Sequence, residues 1–532
     1  MITVNNLGLH FGSQKLFDRV DLQFVAGNCY GIIGANGAGK STFLKLISGE
    51  VESTSGSVSI PSDVRMSVLR QDQEMFNEYS VMETVMMGNA PLYRCGQEKD
   101  ALYLKEDFSD EDGLRAAELE EQFAELGGWE AESEIAQMLV GLGIPIELHE
   151  KQMTELTARQ KVKVLLAQAL FGRPDIILLD EPTNNLDIDS VVWLEEFLLD
   201  YPGTVLVVSH DRYFLNTVCT HTVDIDFGKI KLYVGNYDFW YESSQLMQKL
   251  VRDQNKKNED KIKDLQDFIQ RFSANKSKSR QATSRKKLIE KLSVEELPAS
   301  SRRYPWVGFK GEREVGKDIL TVSEVSKTVD GVKLLDNVSF MLGKGDKVAF
   351  IGENELAITT LFQMLAEELE PDAGEVKWGV TTSRTYFPRD HSAFFEEEIN
   401  LIDWMRQFSE DKRESFIRQF FGRMLFSGDD VYKQAGVLSG GEKVRCMLSK
   451  MMLSGANVLL LDQPTNHLDM ESISALNNGL ESFEGNVLFT THDHQLIQTV
   501  ANRIIELTPE GTIVDRRMSY DEYVESRRSS GA

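Results

Sequence analysis

Short apolar runs that end at glycine, acidic or small polar residues recur along this chain. Lys347-Val348-Ala349-Phe350-Ile351 runs into Gly352, Ile176 to Leu179 into Asp180 and Glu181, and Val205 to Val208 into Ser209 and His210. Runs of this length without polar alternation predict strands buried on both faces, as in a parallel sheet. A second pattern begins near Glu242, where Leu246, Leu250, Ile262, Leu265 and Ile269 keep a loose helical period. The serine-rich, polar stretch that follows interrupts it, Lys286 to Leu292 resumes it, and Pro298 ends it. The prediction is two antiparallel helices with a tip near Ala274 to Ser284. A third pattern places Leu114, Leu119, Phe123 and Leu126 at helix-like spacing inside a strongly acidic stretch. It reads equally as a solvated surface helix or as an arm that touches a partner.

The strand-like runs belong to a repeat. Gly34 to Thr42 returns as Gly352 to Thr360, 318 residues later, and "ILLDEPTNNLD", ending at Asp187, returns as "LLLDQPTNHLD", ending at Asp469, 282 later. Ser209-His210-Asp211 and Thr491-His492-Asp493 also stand 282 apart. Two copies of one domain explain this most simply. The first copy therefore holds 36 more residues (318 minus 282) between its glycine-rich loop and its later motifs. They fall between Gln71 and Leu156, and the acidic stretch places them at about 92–127.

Composition narrows the setting. The chain has 532 residues, 41% hydrophobic and 27% charged, an ordinary balance for soluble multidomain proteins. No apolar run approaches the ~18 residues that span a bilayer, and the N-terminus lacks a signal-peptide pattern. Four cysteines with no CxxC pair speak against a disulfide framework or zinc site, so a reducing cytoplasm is expected. A net charge of −26 disfavours general nucleic-acid binding. Between Arg271 and Lys291, however, eight Lys or Arg face a single acid, Glu290. The most basic segment thus lies at the tip of the most protruding predicted element.

Gly34-Ala35-Asn36-Gly37-Ala38-Gly39-Lys40-Ser41-Thr42 fits G-x-x-x-x-G-K-S/T between a strand and a helix. Such a loop curls backbone N–H groups around phosphate oxygens, sends its lysine to the β/γ-phosphates and offers a hydroxyl to Mg²⁺. Asp180, at a strand's carboxyl end, suits Mg²⁺. Glu181 suits the polarisation of an attacking water. His210 ends another strand and is placed to sense the γ-phosphate; a lone histidine there is usually structural, and only its constant offset to His492 adds weight.

The phosphate loop, DEPTNNLD and SHD series resembles the ATP-binding-cassette ATPases. Duplicated cassettes, a basic helical linker and no membrane segment resemble the ABC-F proteins, most closely the YbiT branch. The resemblance covers essentially the whole chain. It implies two α/β P-loop cassettes, residues 1–241 and 301–532, joined by a two-helix basic linker at 242–300, with ATP and Mg²⁺ as cofactors. Phe11 would stack on adenine, Gln71 would lie near Mg²⁺, and Asp187 would be the D-loop acid. The signature sequence is intact in the second copy, Leu438-Ser439-Gly440-Gly441-Glu442, but reads Leu156-Thr157-Ala158-Arg159-Gln160 in the first.

Cassettes of this family pair head to tail, so each ATP touches both. One composite site would combine Phe11, Gly34, Asn36, Gly37, Gly39, Lys40, Ser41, Thr42, Gln71, Asp180, Glu181 and His210 with Ser439, Gly440, Gly441 and Glu442. The other would combine Gly352, Asn354, Thr359, Thr360, Asp462, Gln463 and His492 with Thr157 to Gln160. There the offsets put Glu355 at the Gly37 position, Ala357 at Gly39, Ile358 at Lys40, Val329 at Phe11, Arg389 at Gln71 and Gln463 at Glu181. Glu355 is expected to repel phosphate, and losing the lysine alone should cost on the order of 2–4 kcal/mol of transition-state stabilisation. One hydrolysing and one silent site are expected; Thr359, Asp462 and His492 leave open whether the silent site holds nucleotide. ABC-F resemblance further implies a monomer that binds the ribosome, its rRNA and P-site tRNA. Arg271, Lys276, Lys278, Arg280, Arg285, Lys286 and Lys287 would contact RNA phosphates. The competing readings are the cytosolic ATPase of a membrane transporter and a chromatin or repair ATPase.

Overall fold

A computed structural model describes the chain except residues 12, 13, 36, 71, 185, 227, 273–301, 353 and 531–532. Among the described residues, nine strands build the first half: β1 (Ile2–Phe11), β2 (Gln14–Phe24), β3 (Asn28–Gly34), β4 (Ser55–Ser59), β5 (Met66–Val68), β6 (Ile176–Asp180), β7 (Thr204–Val208), β8 (His221–Asp226) and β9 (Lys229–Val234). Nine more build the second: β10 (Leu320–Val329), β11 (Val332–Leu342), β12 (Lys347–Ile351), β13 (Ala373–Trp378), β14 (Arg384–Phe387), β15 (Val458–Asp462), β16 (Asn486–Thr490), β17 (Arg503–Leu507) and β18 (Ile513–Arg516). The sheet orders repeat: β5-β6-β7-β3-β8-β9 is matched by β14-β15-β16-β12-β17-β18, and β2-β1-β4 by β11-β10-β13.

The apolar runs explain the layers. β7 and β16 are buried along their whole length, and both central sheets are parallel except for their last strand. One face packs on the antiparallel sheet and the phosphate-loop helix, through Phe17, Phe24, Phe43 and Ile176 in the first half and Phe340, Phe350 and Phe362 in the second. The other face packs on the remaining helices. There the two cores meet, because Met470 joins the first and Ile188 and Val192 pack against the second.

The extra residues of the first half form a helical hairpin, Ala90–Tyr103 and Asp110–Glu125. The isolated bridges Ser80↔Gln152 and Asn400↔Gln434 occupy matching places in the two halves and bracket the insertion between Ser80 and Gln152. Ser109 and Asp112 form a capping box at the start of the second arm helix. Cys95, Leu102, Ala116 and Leu119 make a small core of its own, with Phe123 against it. Leu114 does not join that core: it is 71% exposed, and Leu126 is partly so.

The linker starts as one 36-residue helix, Tyr237–Phe272, spanning ~54 Å at 1.5 Å per residue. Its root is fixed by buried Tyr237 and Trp240, and Trp240 Nε1 donates to Asp224 at 3.2 Å. Leu246 and Leu250 are exposed rather than packed. Arg271 lies in this helix, but its side chain and Lys276, Lys278, Arg280, Arg285, Lys286 and Lys287 lie outside the described residues, as does the expected second helix. Where the chain re-enters, Arg302 bonds Asp224 (2.6 Å) and Glu471 (3.0 Å) and covers the Trp240 ring at 4.4 Å. One guanidinium thereby ties the first half, the linker root and the second half together. No helix among the described residues is long and apolar enough to cross a membrane.

Candidate functional site

Gly34 closes β3 and Lys40 opens the following helix, so the loop between them is forced into a tight turn. A Cβ on Gly34 would come within 2.7 Å of the Ile225 carbonyl, which makes glycine obligatory there. Gly39 has φ 97° and faces the Phe17 ring, a position closed to L side chains on both counts. Lys40 folds back into the cradle: its Nζ donates to the Gly34 carbonyl at 2.9 Å and only 8% of the residue is exposed. Burial lowers its pKa, opposed by the charge of Glu181 and its acidic neighbours.

Asp180 ends β6 and Glu181 follows with φ 52°, its N–H donating to the Val208 carbonyl at 2.8 Å. This left-handed turn swings the carboxyl towards His210, whose backbone N–H donates to Glu181 Oε2 at 3.1 Å and whose Nε2 lies 3.3 Å from Oε1. Burial pushes Glu181 up to about 8 and His210 down to about 4, the latter helped by the Lys40 charge. A carboxyl poised near neutrality beside a neutral imidazole can accept and return a proton. His210 Nδ1 is buried without a hydrogen bond.

These residues line a cleft of about 730 Å³ together with Ser41, Thr42, Asn184 and, from the second half, Thr465, Asn466, His467 and Asp493. That volume suits a nucleotide. No three His, Cys, Asp or Glu side chains converge as a metal set among the described residues. Mg²⁺ nonetheless fits, because it takes one or two carboxylates plus hydroxyl and phosphate oxygens. Asp180 and Ser41 are the donors of that kind here.

The structure thus assembles Gly34, Gly37, Gly39, Lys40, Ser41, Thr42, Asp180, Glu181 and His210 around one cleft, with Gly34 and Asp180 closing the strands that frame it. Asn36 and Gln71 lie outside the described residues, and of Phe11 only the strand position at the end of β1 is described. Ser439, Gly440, Gly441 and Glu442 do not line the cleft. Ser439 caps the helix Gly440–Leu453 and donates to Glu442 at 2.7 Å, and both glycines abut His467, which does reach the cleft. His467 itself escaped notice in the sequence. The signal was present, since "NHLD" replaces "NNLD" at this point of the repeat.

The second half repeats the scaffold with different side chains. Gly352 meets the Leu507 carbonyl as Gly34 meets Ile225, and Gln463 has φ 53° with its N–H on the Thr490 carbonyl. Asn354 caps the helix Glu355–Leu365 by accepting from the Ala357 N–H, and Ile358 is buried where the first loop has Lys40. Thr359 donates to Asp462 at 2.7 Å and Thr360 to the Leu356 carbonyl. His492, Gln463 and Gly352 line a cavity of about 60 Å³, and Arg159, Asn354, Glu355 and Pro509 line a more open space of about 420 Å³ beside it.

A protein-family profile described as "ABC transporter" matches residues 17–184 and 335–466, and a companion profile of the same description matches 223–306. The chain is 63% identical over 528 residues to the uncharacterized ABC transporter ATP-binding protein YkpA of Bacillus subtilis, covering 99% of this chain and 98% of that protein. It is 44% identical over 529 residues to the probable ATP-binding protein YbiT of Escherichia coli O157:H7, covering 99% of each. Among solved structures, an RNase-L inhibitor superposes with TM-score 0.64 at 18% identity, over 98% of this chain and 92% of that one. The archaeal ribosome recycling factor aABCE1, in complex with the stalk protein aP1, superposes with TM-score 0.63 at 17% identity over the same shares. At these identities the structural likeness concerns the fold alone.

Proposed function

The chain belongs to the ATP-binding-cassette family, in its ABC-F branch, and from that premise we propose a Mg²⁺-dependent ATPase that works on the ribosome with one hydrolysing site. The observation that carries this reading is the contrast between the two halves of one scaffold. Lys40, Glu181 and His210 converge on a nucleotide-sized cleft, whereas Ile358 and Gln463 occupy the matching places of the other. In the first site the Gly34–Thr42 loop and Lys40 hold the phosphates, and Ser41 and Asp180 hold Mg²⁺, which supplies charge neutralisation when bound. Glu181 takes the proton of the attacking water, and His210 holds that carboxyl in place through its backbone N–H. Because Thr465 to Leu468 of the second half line the same cleft, nucleotide bound there draws the halves together and hydrolysis relaxes them.

The ribosomal partner is supported by the branch and by the basic linker. The linker helix, ~54 Å long and rooted at Tyr237, leads into the basic segment, and that length exceeds a Debye length of ~8 Å. There Arg271 and the lysines and arginines up to Lys287 would meet phosphates of rRNA and of P-site tRNA without reading sequence. The test is cosedimentation with ribosomes at physiological salt, using Glu181→Gln with ATP to hold the closed state. Retention that requires ATP is expected; no retention would favour a transporter ATPase instead.

A further inference from the structure

The second site has a ligand of its own. Glu355, at the start of the degenerate loop's helix, sends its carboxylate to Arg389 at 2.6 Å, to His492 at 2.9 Å and to Arg159 at 3.2 Å. Arg159 comes from the other half of the molecule. It occupies the broken signature, at the place that Gly441 fills in the intact one. Arg389 stands where the first half has Gln71, and Glu355 where it has Gly37. Three substitutions, in three motifs far apart in sequence, have thus introduced one anion and two cations that meet at a point. Independent decay of an unused site gives no reason for complementary charges to converge.

We infer that the Glu355 carboxylate is the permanent occupant of the second site's phosphate position, gripped across the cassette interface by Arg159, so that this half of the cassette pair is latched shut without nucleotide. The rest of the site agrees. The cavity that Glu355, Ile358 and His492 line is about 60 Å³, well below the ~300 Å³ at which small-ligand sites begin. Thr359 and Asp462, the remnants of a Mg²⁺ pair, satisfy each other. The His492 hydrogen bond, with Arg159 and Arg389 nearby, holds Glu355 down at about 2 against its burial, so the anion persists at physiological pH. A phosphate could enter only by displacing a carboxylate that already has three partners. With one side fixed, ATP at the first site swings the cassettes about the latch rather than bringing two free halves together.

This inference rests on the one-active-site reading for the occupancy of the first cleft, and the test separates the two. Nucleotide binding is measured by equilibrium dialysis of labelled ATP with the full-length Glu181→Gln chain at saturation. One ATP per chain is expected; two per chain overturn the latch, while none would indict the first site instead. The latch is then read without nucleotide, from spin-label distances between cysteines at the exposed positions Glu155 and Glu510 on either side of it. The parent should give one narrow distribution. Glu355→Gln and Arg159→Gln should each broaden and lengthen it, the double variant no further than either single, and Arg159→Lys should largely restore it. Distributions unchanged by either single variant overturn the proposal.

Discussion

Arg302→Ala probes how the two halves and the linker root are joined. The Arg302 side chain is 8% exposed, and its partners Asp224 and Glu471 are 12% and 6% exposed. Removing one partner of a buried ion pair costs about 3–5 kcal/mol, because the remaining charge stays buried without compensation. Here two carboxylates lose their cation, although Asp224 keeps its bond from Trp240 Nε1, and the stacking on Trp240 is lost as well, worth ~0.5–2 kcal/mol. One effect limits the damage. Burial already raises the Glu471 pKa, so without the cation this group protonates rather than remaining charged. The net expectation is therefore about 3–5 kcal/mol rather than the sum of the parts. In urea, with a slope near ~3 kcal/mol/M, the transition that separates the halves should move down by about 1–2 M. Arg302→Lys keeps a charge but loses the fork that reaches both acids, and should fall between. Adding Glu471→Gln to Arg302→Ala should recover part of the loss. A shift below ~0.3 M for Arg302→Ala would refute the reasoning.

Three other changes follow from the site and the interface. Lys40→Ala should lower ATP turnover by about 10²–10³-fold, as loss of a preorganised electrostatic donor does, in a steady-state phosphate-release assay. Lys163 is buried against Asp187, so Lys163→Met should destabilise by about 2–4 kcal/mol, softened by the two hydrogen bonds Asp187 accepts from Ser190, and lower the thermal midpoint. Asp211 and Asp493 face each other across the interface near Arg212, and burial pushes Asp493 above the usual carboxylate range, with the Asp211 charge adding to it. A raised carboxyl pKa means that the folded state binds the proton more tightly, so stability falls as pH rises from ~4 towards about 6 and then levels. Asp493→Asn should flatten that part of the stability–pH curve and raise stability at pH 7 by on the order of 1–3 kcal/mol, while an asparagine still caps the helix through the Leu496 N–H.

The sequence revealed what local pattern encodes. Buried runs such as Ile176–Leu179 and Val205–Val208 became central strands because nothing polar could lie on either face. The repeat offsets point to extra residues in the first half because deletion and insertion leave an arithmetic trace. Side-chain partners were less legible. Leu114, Leu246 and Leu250 keep helical spacing yet face solvent, since periodicity marks a face without saying whether anything covers it. Glu355 reads in isolation as a repulsive intruder in a phosphate loop; its meaning changes only when Arg159 arrives from the other half. Arg302 lies in an unremarkable polar stretch, and its acids stand in different halves of the chain. The signature Ser439 to Glu442 was legible as a motif, but not its position behind His467, which depends on how the halves are set against each other.

We propose that hydrolysis belongs to Glu181 alone. It is tested most directly by single-turnover ATP hydrolysis in Glu181→Gln and, separately, in Gln463→Glu. Glu181→Gln should lose at least ~10²-fold in rate, and Gln463→Glu should behave as the parent, because Ile358 and the bound Glu355 carboxylate still bar that site. Near-normal hydrolysis in Glu181→Gln, or a second burst of turnover in Gln463→Glu, would contradict it.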